Sequence, residues 1–69
     1  MTDVFSTGEV ARLLGIPTHT IEYAHRNRGL GEPLLRFLGK RVYEPQDVRR
    51  VALHFGIALD ESLLIKENR

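Results

Sequence analysis

Residues 6–27 read STGEVARLLGIPTHTIEYAHRN and predict two short helices joined by a tight turn. Ser6 and Glu9 have the S-x-x-E spacing of a capping box, which begins a helix. Gly15 is expected to end this helix, because glycine accepts the left-handed backbone of a helix C-terminus. The expected helices run from about Thr7 to Leu14 and, after the turn at Gly15-Ile16-Pro17, from about Thr18 to Asn27.

The second helix has more hydrogen-bonding side chains than packing requires. Ile21 and Ala24 form its narrow apolar side, whereas a helix kept only for packing normally has a wider apolar stripe. The opposite side carries His19, Tyr23, Arg26 and Asn27. This polar side is therefore the first candidate for contact with a partner.

A β-hairpin with a basic edge is predicted next. Leu35 to Leu38 and Arg41 to Tyr43 are expected to be extended, with Gly39-Lys40 as the turn between them. Lys40 then lies at the tip, and Arg36 and Arg41 lie on the two arms. We call this hairpin, residues 35–43, the wing.

A third helix is predicted from Pro45 to about Gly56, because proline suits the first helical position and Asp47 favours the helix dipole. A short helix is expected from Asp60, as its cap, to Lys66. The apolar residues of this last segment, expected to pack on the core or on a second chain, are Leu59, Leu63 and Leu64.

The length of 69 residues predicts a single domain, with a core at about 4–56 and a short C-terminal segment at 57–69. The sequence has no cysteine, which excludes disulfides and cysteine-ligated zinc. We expect a cytoplasmic protein, because we find no apolar run of about 18 residues and no signal-peptide pattern.

The net charge of +1 conceals a basic middle. Residues 1–25 carry one cationic side chain and three carboxylates. Residues 26–50 carry seven cationic side chains and three carboxylates, and residues 51–69 carry two cationic side chains and three carboxylates. The net charge of the middle segment is therefore +4, which favours a polyanionic partner. Chance clustering on a solvated surface explains the charge pattern equally well.

Residues arranged for catalysis are not found in the sequence. The three histidines form no H-E-x-x-H pattern, the glycines form no phosphate loop, and no carboxylate pair is placed for acid–base work. We therefore expect no enzymatic activity, no cofactor and no metal site. A domain this small also leaves little room for a deep substrate or effector pocket.

Five segments in this order resemble the DNA-binding domain of the MerR family and, more distantly, excisionase-type winged helix proteins. The segments are 6–11 (STGEVA), 15–23 (GIPTHTIEY), 29–30 (GL), 36–43 (RFLGKRVY, matching R-x-x-G-x-R-x-Y) and 47–51 (DVRRV). The resemblance covers about residues 4–55. It implies a mainly α fold with a small β-hairpin, the winged helix-turn-helix, in a sequence-specific transcriptional regulator that binds double-stranded DNA.

Several positions depart from the family pattern. His19 and Glu22 stand where the family usually has arginine or lysine, and Ala24 stands where a second tyrosine is common. Glu22 would repel phosphate unless it accepts a hydrogen bond from cytosine N4 or pairs with an arginine. The family also has a long dimerisation helix, whereas few residues follow Gly56 here. Both a single-domain member and a fragment remain open.

The resemblance and the geometry of a helix in the major groove together give a set of expected DNA contacts. The wing cations would contact phosphates or an adjacent minor groove, and Arg49 or Arg50 would add a phosphate contact. The candidate DNA-binding residues are Thr18, His19, Thr20, Tyr23, Arg26 and Asn27 on the second helix and Arg36, Lys40 and Arg41 on the wing.

Structural roles stay open for some of these residues. Tyr23 is alternatively a half-buried packing residue. Arg28, which is not in the candidate set, is expected either to cover the helix end near Gly29 or to contact DNA. Arg36 and Arg41 alternatively pair with Glu32 and Glu44. His25 and Tyr43 are expected at the edge of the core and in the core, respectively.

Two other functions remain open. One is an excisionase-like architectural factor that bends DNA, and the other is a protein-interaction module that uses Phe37-Leu38 and the apolar tail. For a DNA reader we expect a homodimer or a cooperative multimer on DNA, because one copy reads only a few base pairs. Nothing in the sequence indicates a small-molecule effector or a membrane.

Overall fold

The computed structural model describes residues 4–64 and shows, within them, three α-helices and a small antiparallel sheet. The elements in chain order are β1 (Phe5–Ser6), α1 (Thr7–Leu14), α2 (Thr18–Asn27), β2 (Leu35–Phe37), β3 (Lys40–Tyr43), α3 (Pro45–Phe55) and a 3₁₀ helix (Glu61–Leu64). The predicted bounds of α1 and α2 and the start of α3 are confirmed. The fold is that of a winged helix-turn-helix protein.

Local capping explains where the helices begin and end. The backbone N–H of Glu9 donates to Ser6 Oγ at 3.1 Å, and the backbone N–H of Ser6 donates to Glu9 Oε1 at 2.9 Å. This reciprocal pair is the predicted capping box of α1. Gly15 and Gly56 follow α1 and α3 with φ of 71° and 67°, the left-handed conformation that glycine adopts without steric cost.

The start of α3 is fixed by a buried carboxylate. Asp47 accepts hydrogen bonds from the backbone N–H of Glu44 at 3.0 Å and from Arg50 Nη1 at 2.9 Å. Its side chain is 4% exposed, whereas that of Arg50 is 46% exposed, so both bonds are partly buried. Asp47 therefore caps α3 as well as placing a negative charge in its first turn. It also forms an ion pair with Arg50.

The predicted two-stranded hairpin is part of a three-stranded sheet with the order β1-β3-β2. Phe5 lies opposite Tyr43, and Ser6 lies opposite Val42. β1 was not predicted, because a two-residue strand has no alternating pattern and forms only by pairing with a distant segment. This strand joins the wing to the N-terminus of α1.

The turn of the wing lies one residue earlier than predicted. Phe37 pairs with Lys40, so the two loop residues are Leu38 and Gly39, and Lys40 belongs to β3. Both loop residues have positive φ, 53° for Leu38 and 78° for Gly39. Two-residue hairpins favour positive φ because it matches the twist of the strands. A leucine in this conformation costs about 1–2 kcal/mol.

The core lies between the helices and the inner face of the sheet. Its largest fully buried side chains are Tyr43, Ile21, Val10, Val48 and Val51. In the C-terminal segment, Leu64 is buried against this core, Leu59 packs partly on it, and Leu63 is 46% exposed.

Asp60 caps the C-terminal segment as predicted. It accepts hydrogen bonds from the backbone N–H and the hydroxyl of Ser62 at 3.0 and 2.7 Å, and these bonds lower the pKa of its carboxyl group. The described part of the helical turn is Glu61–Leu64. The predicted end at Lys66 lies outside the described residues.

Candidate nucleic-acid interface

The outward side of α2 presents the predicted polar residues. The exposed residues are Thr18, His19, Tyr23, Arg26 and Asn27, and Thr20 is partly exposed. Ile21, Ala24 and His25 face inward and are buried. At about 100° per residue, positions 19, 23 and 26 follow one another along the same side of the helix. The structure thus brings these candidates together on one surface.

A buried hydrogen-bonded chain fixes α2 against the sheet. His25 Nδ1 donates to the carbonyl of Leu30 at 3.3 Å, because a carbonyl only accepts. Nε2 of the neutral ring then accepts from the Tyr43 hydroxyl at 2.9 Å. The Thr7 hydroxyl donates to the Tyr43 oxygen at 3.4 Å. The side chain of one sheet residue, Tyr43, therefore positions α2 relative to α1 and the wing, which confirms the expected core locations of His25 and Tyr43.

We expect the free energy of unfolding to rise with pH up to the ordinary histidine pKa of 6.5. Burial lowers the pKa of His25 in the folded chain, and the nearby Arg41 charge acts in the same direction. The unfolded chain therefore binds more protons between the two pKa values, so folding loses stability as pH falls through that window. Urea unfolding at pH 5 and pH 7.5 measures this difference. If the His25→Gln variant showed the same difference in unfolding free energy between the two pH values, the pH dependence would come from other groups.

Tyr23 and Arg28 form a pair at the C-terminal end of α2. The guanidinium carbon of Arg28 lies 5.5 Å from the centre of the Tyr23 ring, a cation–π distance, and the ring is 48% exposed. Arg28 also ends the helix, since its backbone N–H donates to the carbonyl of Ala24 at 2.9 Å. The pair holds one face of the ring and leaves the phenol accessible to a partner.

One glutamate holds both arginines of the wing. Glu32 Oε1 accepts from Arg36 Nη2 at 2.6 Å and from Arg41 Nε at 3.0 Å. Arg36 and Arg41 lie directly opposite each other in the strand ladder, where like charges repel. The shared carboxylate offsets this repulsion. The hydrogen bond from Arg41 keeps the pKa of Glu32 below its ordinary value, and the same contact raises the pKa of Arg41.

The structure divides the basic middle of the chain into paired and unpaired cations. Besides the two wing arginines, Arg49 pairs with Glu61 at 2.8 Å and Arg50 pairs with Asp47. Within residues 4–64, Arg26, Arg28 and Lys40 have no ion-pair partner. The unpaired cations are therefore at the end of α2 and beside the wing tip.

A groove of about 390 Å³ lies between the start of α1, α2 and the wing. Its lining residues are Ser6, Thr7, Gly8, Glu22, Arg36, Gly39, Lys40 and Arg41. Glu22 lies near enough to Arg41 to help raise its pKa. The repulsion expected between Glu22 and phosphate is thus partly offset by a cation in the same groove.

The first turn of α1 lines this groove and was not among the predicted residues. No local signal points to this turn, because residues 6–8 line the groove only once the wing has folded beside them. For Arg28 a cover of the helix end and a DNA contact were both open, and the structure places it at the helix end. Glu32 was predicted as one of two partners for the wing arginines, and it binds both.

Within residues 4–64, no group of three or more histidine, aspartate or glutamate side chains is arranged to hold a metal ion. In the same part of the chain, every helix is too short or too polar to cross a bilayer.

The comparisons with known proteins agree with this geometry. A family model described as MerR HTH family regulatory protein matches residues 5–54, which is more than half of the chain and includes the helix-turn-helix, the wing and most of α3. No match was found among curated proteins or among solved structures. The chain therefore belongs to the MerR family of helix-turn-helix regulatory proteins, which bind DNA.

Proposed function

We propose that this protein is a sequence-specific transcriptional regulator that acts on double-stranded DNA in the cytoplasm. In this proposal α2 enters the major groove and the wing contacts the backbone beside it. The observation that carries the proposal is the exposed polar side of α2, whose inner side is hydrogen-bonded to the sheet through His25 and Tyr43. The cations without an ion pair within residues 4–64 lie at the end of this helix, Arg26 and Arg28, and beside the wing tip, Lys40. An anchored helix with free polar side chains suits base reading.

In this proposal the side chains of α2 determine which DNA bases are recognised. Arg26 and Asn27 are the strongest candidates for base contacts, since arginine pairs with guanine and asparagine with adenine. Each good bidentate pair contributes about 1–3 kcal/mol of discrimination. Thr18, His19, Thr20 and Tyr23 would complete the contacts from the start and middle of the helix.

Arg36, Lys40 and Arg41 would bind phosphates and so provide affinity without sequence preference. Glu32 keeps the two arginines together before DNA arrives, and phosphate then competes with its carboxylate. Lys40 has no ion pair to exchange within residues 4–64, so its phosphate contact displaces none of the pairs seen there.

We expect Glu32→Gln to increase affinity for non-specific duplex DNA by about threefold to tenfold, because the two arginines no longer exchange a carboxylate for phosphate. The dependence of affinity on salt should also become steeper. Fluorescence-anisotropy titrations of random duplex measure both effects. Glu44→Gln is the matched control, since it also removes a carboxylate but Glu44 forms no ion pair with an arginine within residues 4–64. Equal behaviour of Glu32→Gln and wild type would contradict competition by Glu32.

More than one copy is expected at each site. A single α2 contacts only a few base pairs, so tight specific binding requires a homodimer or cooperative binding of several copies. The spacing of the half-sites in selected DNA would distinguish these arrangements.

The test of the proposed function is an anisotropy titration with a pool of random duplexes at two salt concentrations, followed by sequencing of the bound fraction. We expect salt-sensitive binding and an enriched motif. Arg26→Gln and Asn27→Ala should change the motif at individual positions, whereas Lys40→Gln should weaken all sequences alike. Absence of binding at low salt would contradict the proposal.

A further inference from the structure

The tip of the wing exposes two large apolar side chains. Phe37 is 69% exposed and Leu38 is 84% exposed. Leu38 also has the φ of 53° described above, at a turn position where asparagine, aspartate or glycine is preferred. Leucine is therefore unfavourable at this position for two reasons: its backbone has a positive φ, and its apolar side chain is exposed to water. Neither cost is offset by a contact that buries Leu38 within residues 4–64.

The charges around the tip indicate what kind of partner would cover it. Lys40 lies opposite Phe37 in the ladder, and the arms behind the turn carry Arg36 and Arg41. A partner must therefore accept an apolar side chain between cations. The minor groove of DNA has this character, because phosphates line its rims and sugars and base edges form its walls and floor. Duplex DNA carries a phosphate charge at every nucleotide along both rims, whereas a protein partner would need carboxylates placed specifically on both sides of an apolar patch.

We propose that the wing tip is a wedge for the minor groove, with Leu38 inserted at a base step and Phe37 against the sugar wall. The proposal rests on the proposed function, since it places the wing beside the major-groove site of α2. The minor groove is about 6 Å wide and admits side chains but not a helix. Apolar wedges of this type partly unstack the bases and kink the duplex.

Leu38→Asn separates the wedge from the folding of the hairpin. Asparagine followed by Gly39 is a preferred pair for a two-residue turn, so this variant should fold at least as well as wild type. It removes the apolar side chain and leaves all wing cations in place. The matched control is Leu53→Gln, which replaces a leucine that is 82% exposed on α3, outside the wing.

The measurement uses duplexes carrying the motif selected by the wild-type protein, with 2-aminopurine placed in turn at each flanking step. We expect wild type and Leu53→Gln to increase the fluorescence at one step, which reports unstacking. Leu38→Asn should produce no increase and bind about tenfold more weakly, because burial of a leucine favours binding but unstacking offsets part of it.

The other outcomes separate the wedge from the proposed function. Wild-type binding with no fluorescence change at any step, and equal affinity for Leu38→Asn, would overturn the wedge and leave DNA binding intact. Loss of self-association in Leu38→Asn without any effect on DNA would also overturn it, assigning the tip to a protein contact. Failure of wild type to bind any duplex would overturn both proposals.

Discussion

Replacement of Arg36, Lys40 and Arg41 by glutamine is expected to weaken DNA binding by about 100-fold near 150 mM salt. Each phosphate contact releases about 0.9 counterion, so three lost contacts reduce the slope of log affinity against log salt by about 2.7. Anisotropy titrations at several salt concentrations give both numbers. Melting curves of the variant check that the wing is still folded.

A control for total charge is needed in this experiment. Arg12→Gln removes an exposed cation from α1 that belongs to none of the expected DNA contacts. We expect this variant to keep most of the affinity and nearly all of the salt slope. An equal loss of affinity in this control would show that net charge, rather than the position of the wing cations, governs binding.

Tyr43→Ala is expected to unfold the domain. Tyr43 is completely buried, and replacement of a large buried aromatic residue by alanine costs about 3–5 kcal/mol. The free energy of unfolding of a domain this small is itself only about 3–5 kcal/mol. Loss of the helical circular dichroism signal at 25 °C, or of a cooperative urea transition, measures the effect.

Tyr43→Phe distinguishes the ring from the hydroxyl. It keeps the packing but leaves His25 Nε2 without its donor, which should reduce the free energy of unfolding by about 1–3 kcal/mol. This variant should remain folded with a lower urea midpoint. A folded Tyr43→Ala with an unchanged midpoint would contradict the central position assigned to this side chain.

The helices were predictable from sequence because their signals are local. The Ser6–Glu9 box, Gly15 and Pro45 each act within one turn of the helix that they begin or end. The division of α2 into an inward and an outward side follows from helical periodicity alone. The inward side therefore matches the structure, as do the core positions of His25 and Tyr43.

The features that were missed depend on distant residues or on unfavourable local choices. β1 forms only because residues 5–6 can pair with the edge of β3. Glu32 binds Arg36 and Arg41 together only once the wing has folded. The turn was shifted by one residue because leucine is a poor candidate for positive φ. Base contacts of α2 remain predictions, since DNA determines them as much as the protein does.

The pairing of β1 with β3 has a consequence for the order of folding. The β2–β3 hairpin closes over two residues and so costs little loop entropy, whereas the β1–β3 pairing joins Ser6 to Val42 across the helix-turn-helix and β2. The hairpin is therefore expected to form early and β1 to join it late, since distant contacts form slowly. The whole of α2 lies inside the loop that β1 closes. Transient detachment of this two-residue strand would leave the hairpin formed and still joined to α2 through Tyr43 and His25, but it would uncouple the hairpin from α1.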